Sequence, residues 1–128
     1  MPKTTTVYVA ASSKELERAR AAMERVRQHP TLTLAFDWTM GFGELAIPWS
    51  QIARTELAAI RRSDLFWLLG PGERRTDAWV EVGTALGLRI PVYASGHLPD
   101  ESLFATLLRT FETDDDAIVG LLEFAGRR

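Results

Sequence analysis

Residues 64–96, DLFWLLGPGERRTDAWVEVGTALGLRIPVYASG, decide the fold of this chain. The stretch opens with the apolar run DLFWLLG (64–70), bounded by an acid and by Gly-Pro-Gly, which is typical of a strand buried on both faces. AWVEVGTALGL (78–88) then predicts a helix, and RIPVYAS (89–95) predicts the next strand, with its proline at an early position. A strand, a helix and a strand at this spacing predict a right-handed crossover between parallel strands.

The same alternation extends towards the amino terminus. VYVAA (7–11) predicts a first strand, and SKELERARAAMERVRQH (13–29) spaces its apolar positions at helical intervals. TLTLAFDW (31–38) predicts a second strand, and TMGFGELAIPW (39–49) predicts a long loop. QIARTELAAIRRS (51–63) then supplies the helix that leads into the buried strand.

Towards the carboxyl terminus, GHLPDESLFATLLRTF (96–111) predicts a turn and a helix. A short extended piece near 110–113 precedes a last helix through AIVGLLEF (117–124). The predicted helix caps are Ser50, Thr76 or Asp77, and Asp114. Strands that alternate with helices in this way predict one α/β domain over residues 1–128. We expect a flavodoxin-like or Rossmann-like three-layer sandwich of about five parallel strands in the order 2-1-3-4-5.

The composition excludes several classes of protein. With 128 residues, 46% hydrophobic and 25% charged, the chain suits a single core. No apolar run reaches the roughly 18 to 20 residues of a membrane helix, and the start lacks a signal-peptide layout, so we expect a cytoplasmic protein with no membrane partner. Without cysteine, and with His29 and His97 isolated, we expect neither a metal nor another cofactor. A net charge of -2 without a basic block makes polymeric nucleic acid an unexpected partner.

Ligands of open parallel sheets bind beyond the carboxyl ends of the strands. In the predicted fold, four segments meet at that edge, residues 11–13, 37–49, 70–81 and 95–97. They bring together hydroxyls, acids and aromatic rings, a mixture that suits a polar sugar and a flat base. The residues are Ser12, Ser13, Thr76, Ser95, Asp37, Asp77, Glu81, Trp38, Phe42 and Trp49.

Glu81 is the candidate for chemistry. It is predicted within about the first turn of its helix, where free N–H groups and the helix dipole stabilise negative charge by about 0.3 to 1 kcal/mol, so we expect an ionised carboxylate. Such a group is a suitable nucleophile for an oxocarbenium-like sugar carbon, although it could also simply stabilise the helix start. Gly83 and Gly87 each weaken the helix by about 1 kcal/mol relative to alanine. They are either incidental or allow another helix or subunit to approach.

The other candidates have structural interpretations as well. Asp77, Ser12 and Ser13 can cap helices, and their functional alternatives are a sugar contact and phosphate binding with helix amides. Tyr8 is a strand residue that can simply belong to the core, and the aromatic residues of the edge either belong to the core or stack on a base. Asp64 can be a cap or an ion-pair partner at the amino end of its strand. GFG and GPG extend to neither a dinucleotide fingerprint nor a P-loop.

The ordered segments VYVAAS, FDW, ELAAIRRSDLFWLLGPG and WVEVGTALGLRIPVYASG resemble the nucleoside 2-deoxyribosyltransferase-like family over nearly the whole chain. The most specific part is the strand that begins with Asp64, followed by the Glu-x-Gly-x-Ala helix at 81–85. The resemblance implies cleavage of an N-glycosidic bond of a nucleoside or nucleotide, with Glu81 as nucleophile and a base or water as acceptor. It also implies that Tyr8 orients Glu81, that Asp77 contacts sugar or base, and that Asp64 belongs to the site.

The chain departs from the family where phosphate recognition is concerned. AASSKE (10–15) replaces the glycine-rich loop of the monophosphate hydrolases, which leaves Ser12, Ser13 and Ser95 as candidate phosphate ligands, and hydrolysis is as consistent as base exchange. The resemblance further implies a homodimer or higher homo-oligomer, which Trp49 and Trp79 would suit. The alternatives are a nucleotide-binding sensor and a TIR-like module that cleaves NAD.

Overall fold

The computed structural model describes residues 3–40, 46–72, 76–99 and 102–128. Five strands form one sheet in the order β2-β1-β3-β4-β5, and every pair of neighbours is parallel. The predicted strand order is confirmed. The strands are β1 (Thr5–Ala10), β2 (Leu32–Leu34), β3 (Leu65–Pro71), β4 (Val92–His97) and β5 (Arg109–Phe111), and the helices are α1 (Leu16–Gln28), α2 (Trp49–Arg61), α3 (Asp77–Gly87) and α4 (Asp114–Gly126).

The core lies on both faces of the two central strands. Leu65 to Leu69 of β3 are completely buried, and so are Val7 to Ala10 of β1. Strands covered on both sides by helices need continuous apolar sequence, which DLFWLLG and VYVAA supply. Helix α1 contacts α4, and α2 contacts α3, so the helices form the two outer layers of an α/β sandwich. No helix among the described residues is long and apolar enough to cross a bilayer.

The second strand is shorter than predicted. The residues after Leu34 leave the sheet because their polar groups bind elsewhere. Asp37 accepts a hydrogen bond from the backbone N–H of Thr39 at 2.9 Å, and the Trp38 indole N–H donates to the carbonyl oxygen of Val9 at 2.7 Å. An aspartate that binds the backbone two residues ahead makes a turn, which ends the strand.

The helix predicted within residues 96–111 is wrong. Among the described residues of this range, Phe104–Leu107 form a 3-10 turn, and β5 begins two residues later. Its apolar side chains Leu103, Phe104 and Leu107 are 77%, 59% and 64% exposed. An amphipathic helix gains most of its stability by packing its apolar face. This segment has no such packing within the described chain.

Two predicted helix caps, Ser50 and Asp114, are wrong, and for a third helix the structure selects one of the two predicted residues. Helix α2 begins at Trp49, and the residue before it is Pro48, so Ser50 is not the cap. The Thr113 side chain accepts from the N–H of Asp116 and caps α4, which frees Asp114 for a different contact. For α3, Thr76 is the cap of the two residues considered, because its hydroxyl accepts from the N–H of Ala78 at 3.2 Å.

Candidate active site

The structure joins Tyr8 and Glu81 across 73 residues of sequence. Tyr8 is a completely buried residue of β1, and its hydroxyl donates a short hydrogen bond to Oε2 of Glu81 on α3. The Tyr8 ring is stacked on Phe66 of the adjacent strand, with centroids 5.4 Å apart. Because the ring is held by the core, the hydroxyl is a fixed donor that orients the carboxyl group.

The Glu81 carboxyl group is protonated more readily than an exposed one. Burial raises its pKa to about 8; the hydrogen bond from Tyr8 opposes this, while the nearby carboxyls of Glu56 and Asp77 add to it. The expectation that Glu81 is ionised at neutral pH is therefore wrong for the ligand-free protein. Glu81 is the fifth residue of α3, beyond the first turn, where the helix dipole is too weak to offset burial.

Burial and the neighbouring carboxyls of Glu81 and Glu56 raise the pKa of Tyr8 above its ordinary value. The phenol therefore keeps its proton over the whole physiological range. It acts as a hydrogen-bond donor to Glu81 and has no role as a base.

Glu56 of α2 belongs to this acidic cluster, although the sequence interpretation missed it. Burial raises the pKa of Glu56, and the carboxylate of Asp77 raises it further. A signal was present in the sequence. Ile52, Glu56 and Ile60 are spaced four residues apart, so they lie on one face of the helix, and an acid in an apolar stripe is unusual.

Asp77 lies at the opening of the cluster. It is the first residue of α3, and its side chain is exposed. Its carboxylate raises the pKa of both Glu56 and Glu81. The site thus contains two partly or largely buried carboxyl groups with raised pKa values, Glu56 and Glu81, and one exposed carboxyl group, that of Asp77.

A small cavity of about 200 Å³ lies beside α2. Its walls combine aromatic and aliphatic groups with an amide and a hydroxyl, which suits a flat heterocycle. The lining residues are Phe36, Trp38, Met40, Ile47, Gln51, Ile52 and Thr55. Two of these residues, Ile52 and Thr55, belong to α2, the helix that also carries Glu56.

Ser95 was predicted to bind substrate, and the structure contradicts this. Ser95 is completely buried; its hydroxyl donates to Oδ1 of Asp114 at 2.6 Å and accepts from the Trp67 indole at 2.9 Å. Asp114 also receives two hydrogen bonds from Arg18, at 2.9 and 2.8 Å. Arg18 reaches the carbonyl oxygens of Gly70 and Ser95 as well, so this network ties α1 and α4 to the ends of β3 and β4.

Asp64 lies at the wrong edge of the sheet for a substrate contact. It immediately precedes β3, so it is at the amino end. Its Oδ2 accepts from the backbone N–H of Thr6 at 2.9 Å and pairs with Arg128 at 2.9 Å. Asp64 therefore fastens the carboxyl terminus to the sheet, and the predicted site role is corrected to a structural one.

The remaining predicted binding residues are mostly engaged within the protein. Asp37 forms an ion pair with Arg27 and binds Thr39. Burial alone would raise the pKa of Asp37, but hydrogen bonds from Thr39 and Arg27 lower it below its ordinary value. The Trp38 indole N–H is bound to a carbonyl, so only its ring faces the cavity. Thr76 is used as a cap.

The serines after β1 differ in exposure. Ser12 is 5% exposed, and its hydroxyl accepts from the N–H of Lys14 at 3.3 Å, whereas Ser13 is exposed. Phe42 lies outside the described residues. Trp49 is 89% exposed and lines neither of the two cavities described for this chain.

A second, larger cavity of about 660 Å³ lies along α3 and the 3-10 turn. Glu81 is not among the residues that line it. A Cβ atom built on Gly83 or on Gly87 would meet nothing within 4 Å. The two glycines are therefore not required by packing among the described residues. The apolar groove is formed by Trp79, Val82, Gly83, Leu86, Gly87, Pro99, Ser102, Phe104 and Leu107.

Within the described ranges, no group of three or more His, Cys, Asp or Glu side chains is arranged to hold a metal ion. The chemistry that the arrangement offers is that of carboxyl groups and a phenol. Two interacting carboxyl groups with raised pKa values can divide the roles of proton donor and nucleophile between them.

Two solved structures share this fold. A 2-deoxyribosyltransferase from Bacillus psychrosaccharolyticus is 17% identical, with a TM-score of 0.61 over 91% of this chain and 96% of that chain. The CMP N-glycosidase of Clostridium botulinum is 12% identical, with a TM-score of 0.59 over 91% of this chain and 98% of that chain. At this level of identity the similarity establishes the α/β fold. The sequence matches no protein-family model and no curated protein.

Proposed function

We propose that this protein is an enzyme that cleaves or transfers the N-glycosidic bond of a nucleoside or nucleotide, with Glu81 as the nucleophile. The observation that carries the proposal is the hydrogen bond from the buried Tyr8 hydroxyl to the Glu81 carboxyl. The proteins of similar fold are, by their names, a 2-deoxyribosyltransferase and a CMP N-glycosidase. Both names imply reaction at the same bond.

In the first step, Oε1 of Glu81 attacks the anomeric carbon of the sugar while Tyr8 holds Oε2. The bond from that carbon to the base nitrogen breaks, and its electron pair leaves with the base. Glu56, whose pKa is raised by burial, is the group to which we assign proton donation to the departing base. The products of this step are a glycosyl ester of Glu81, the free base and the Glu56 carboxylate.

In the second step, water or another base attacks the same carbon, and the Glu81 carboxylate leaves. Glu56 takes up the proton that the attacking group loses, so the starting state is restored. Two displacements at one carbon retain the configuration of the sugar. We assign the base to the small cavity beside α2 and a sugar hydroxyl contact to the exposed carboxylate of Asp77.

The direct test is release of free base from a panel of ribonucleosides, deoxyribonucleosides, their monophosphates and NAD, with a second free base present. Chromatography separates hydrolysis, which yields free sugar, from transfer, which yields a new nucleoside. No reaction with any compound would contradict the proposed enzyme. Ligand binding without turnover would favour a nucleotide sensor, and nicotinamide release alone would favour a TIR-like activity.

The activity should rise with pH up to about 8. Glu81 attacks only when ionised, and in the free protein its pKa is about 8. Below that pH the ionised fraction falls about tenfold per pH unit, so kcat/KM should fall with it. The measurement is kcat/KM from pH 5 to about 9, since this parameter reports the free enzyme.

Two variants should move that pH profile in opposite directions. Tyr8→Phe removes the hydrogen bond that lowers the pKa of Glu81, so the rising limb should shift to higher pH. Glu56→Gln removes a carboxyl group that raises the pKa of Glu81, so the rising limb of the profile should shift to lower pH. The maximum value of kcat/KM should also fall, because the proposed proton donor is lost. Unshifted profiles in both variants would show that another group titrates.

We also propose that the enzyme is a homodimer whose two subunits contact each other through the apolar groove along α3. Val80 of that helix is 66% exposed, and Phe104 beside the groove is 59% exposed. Gly83 and Gly87 leave room for a partner helix at close distance. A twofold interface places the same surface on both subunits, and burial of these side chains would stabilise it.

Gly83→Glu should dissociate this dimer without unfolding the subunit. A Cβ atom at position 83 meets nothing within 4 Å in one subunit, but in a twofold interface the two glutamates would bring two like charges together. Light scattering after size exclusion should give a dimer for the natural protein and a monomer for the variant. Val119→Glu, at an exposed position of α4, is the matched control and should remain dimeric. A natural protein that is monomeric at all concentrations would contradict the interface.

A further inference from the structure

We propose that the substrate carries a free 5′-hydroxyl, so that it is a nucleoside and not a nucleotide; this inference rests on the proposed function. The structural reason is that, among the described residues, most of the groups that could hold a phosphate at the carboxyl edge are already bound to the protein. A second reason is that the described carboxyl groups around this edge repel an added dianion.

The hydroxyls predicted for phosphate binding are largely engaged elsewhere. Ser95 is completely buried and uses its hydroxyl both as donor and as acceptor. Ser12 is almost completely buried, and its oxygen already accepts a backbone hydrogen bond from Lys14. Of the three serines only Ser13 is exposed, and one hydroxyl is a weak site for a doubly charged group.

Among the described residues, Arg18 reaches this edge, and its donors are in use. Its Nε and one terminal nitrogen bind Asp114, and that nitrogen also reaches the carbonyl oxygen of Ser95. The other terminal nitrogen binds the carbonyl oxygen of Gly70 and the carboxylate of Glu15. A phosphate could recruit this guanidinium only by breaking contacts that hold α1 and α4 to the sheet.

The helix start after β1 already has its own anions. A helix amino terminus binds phosphate through free N–H groups and the helix dipole. Here Glu15 precedes α1, and Glu17 lies in its first turn. Together with the exposed Asp77 at the start of α3, these acids make the edge unfavourable for a phosphate.

The test compares a nucleoside with its own 5′-monophosphate, identical in base and sugar. We expect kcat/KM to be at least about 100-fold higher for the nucleoside, with the ratio narrowing at high salt because the repulsion is screened. Calorimetry with Glu81→Gln should show the same preference in binding, independently of turnover. Glu15→Gln should narrow the ratio several-fold, whereas Glu123→Gln, on the exposed surface of α4, should leave it unchanged.

Equal or better cleavage of the monophosphate would overturn the nucleoside assignment while leaving the proposed function intact. In that case a double variant, Arg74→Ala with Arg75→Ala, would show whether residues 73–75, which lie outside the described residues, supply the phosphate ligands. If neither compound is bound or cleaved, both the proposed function and this inference fail.

Discussion

Replacing Glu81 with glutamine should abolish base release and at the same time make the protein more stable above pH 8. Glutamine keeps the shape of the side chain, but its amide cannot form the glycosyl ester. We expect kcat to fall by roughly 10³-fold or more, as when other enzymes lose a reacting group. The measurement is base release under single-turnover conditions with the best substrate of the panel.

The gain in stability follows from the raised pKa of Glu81. The folded protein holds this proton up to about pH 8, whereas the unfolded chain loses it near 4.5. The free energy of unfolding therefore falls as the pH rises from about 4.5 to 8, and it is level above that range. Since one pKa unit corresponds to about 1.4 kcal/mol, the variant should be more stable by a few kcal/mol at pH 9 and by little at pH 4.

Urea unfolding of both proteins at the two pH values measures this difference. Glu123→Gln is the control, because it removes an exposed carboxyl of α4 and should alter neither activity nor the pH dependence. Full activity in Glu81→Gln would remove this residue as nucleophile. If Glu81→Gln differs from the natural protein in free energy of unfolding by the same amount at both pH values, Glu81 is not held in its protonated form.

Replacing Arg18 with methionine should cause the largest loss of stability outside the apolar core. Methionine keeps the aliphatic contacts, but Asp114 loses the guanidinium group that donates two hydrogen bonds to it. The Asp114 side chain is 30% exposed, so water can replace these bonds only in part. Removing one partner of a buried ion pair costs about 3 to 5 kcal/mol, and the partial exposure of this pair reduces our expectation to about 2 to 4 kcal/mol. Urea unfolding at neutral pH measures the loss.

Arg25→Met is the matched control, because Arg25 pairs with Asp115 and so also joins α1 to α4. Asp115 is 84% exposed, and such surface pairs contribute about 0 to 1 kcal/mol. The hydrogen bonds from Arg18 lower the pKa of Asp114 despite its burial. Its stabilising effect is therefore present above pH 4 and lost as the pH falls further, so the Arg18→Met deficit should shrink in acid. Equal losses in the free energy of unfolding of Arg18→Met and Arg25→Met would show that the Arg18 network stabilises the protein no more than a surface ion pair does.

The sheet could be predicted because the residues of each central strand are sufficient to indicate a buried strand. DLFWLLG and VYVAA are short, apolar runs followed by turn residues, and only strands covered on both faces need such sequence. The failures lie where a local pattern is overruled by what surrounds it. Residues 103–107 have helical spacing, but their apolar side chains find no surface to cover, so only a 3-10 turn forms.

The candidate site shows the same division more sharply. Glu81 was identified from its place after β3, and its contact with Tyr8 agrees with the orientation that the family resemblance implied. Ser95 was misassigned, because its hydrogen-bond partners Trp67 and Asp114 are distant in sequence and could not be predicted from its neighbours. Glu56 was overlooked because a single acid in a helical pattern resembles a surface residue until another helix covers it.

The order of strands, their parallel direction and the edge proposed for ligand binding follow from the linear sequence, because hydrophobic period and strand spacing are local properties. The state of the chemical groups at that edge does not. The pKa of Glu81 near 8 arises from burial between β1, α2 and α3, and from carboxyls 4 and 25 positions away in the chain. Dielectric surroundings and charge separation exist only after folding, so the protonation of Glu81 and the engagement of Arg18, Ser95 and Asp114 were decided by the tertiary structure alone.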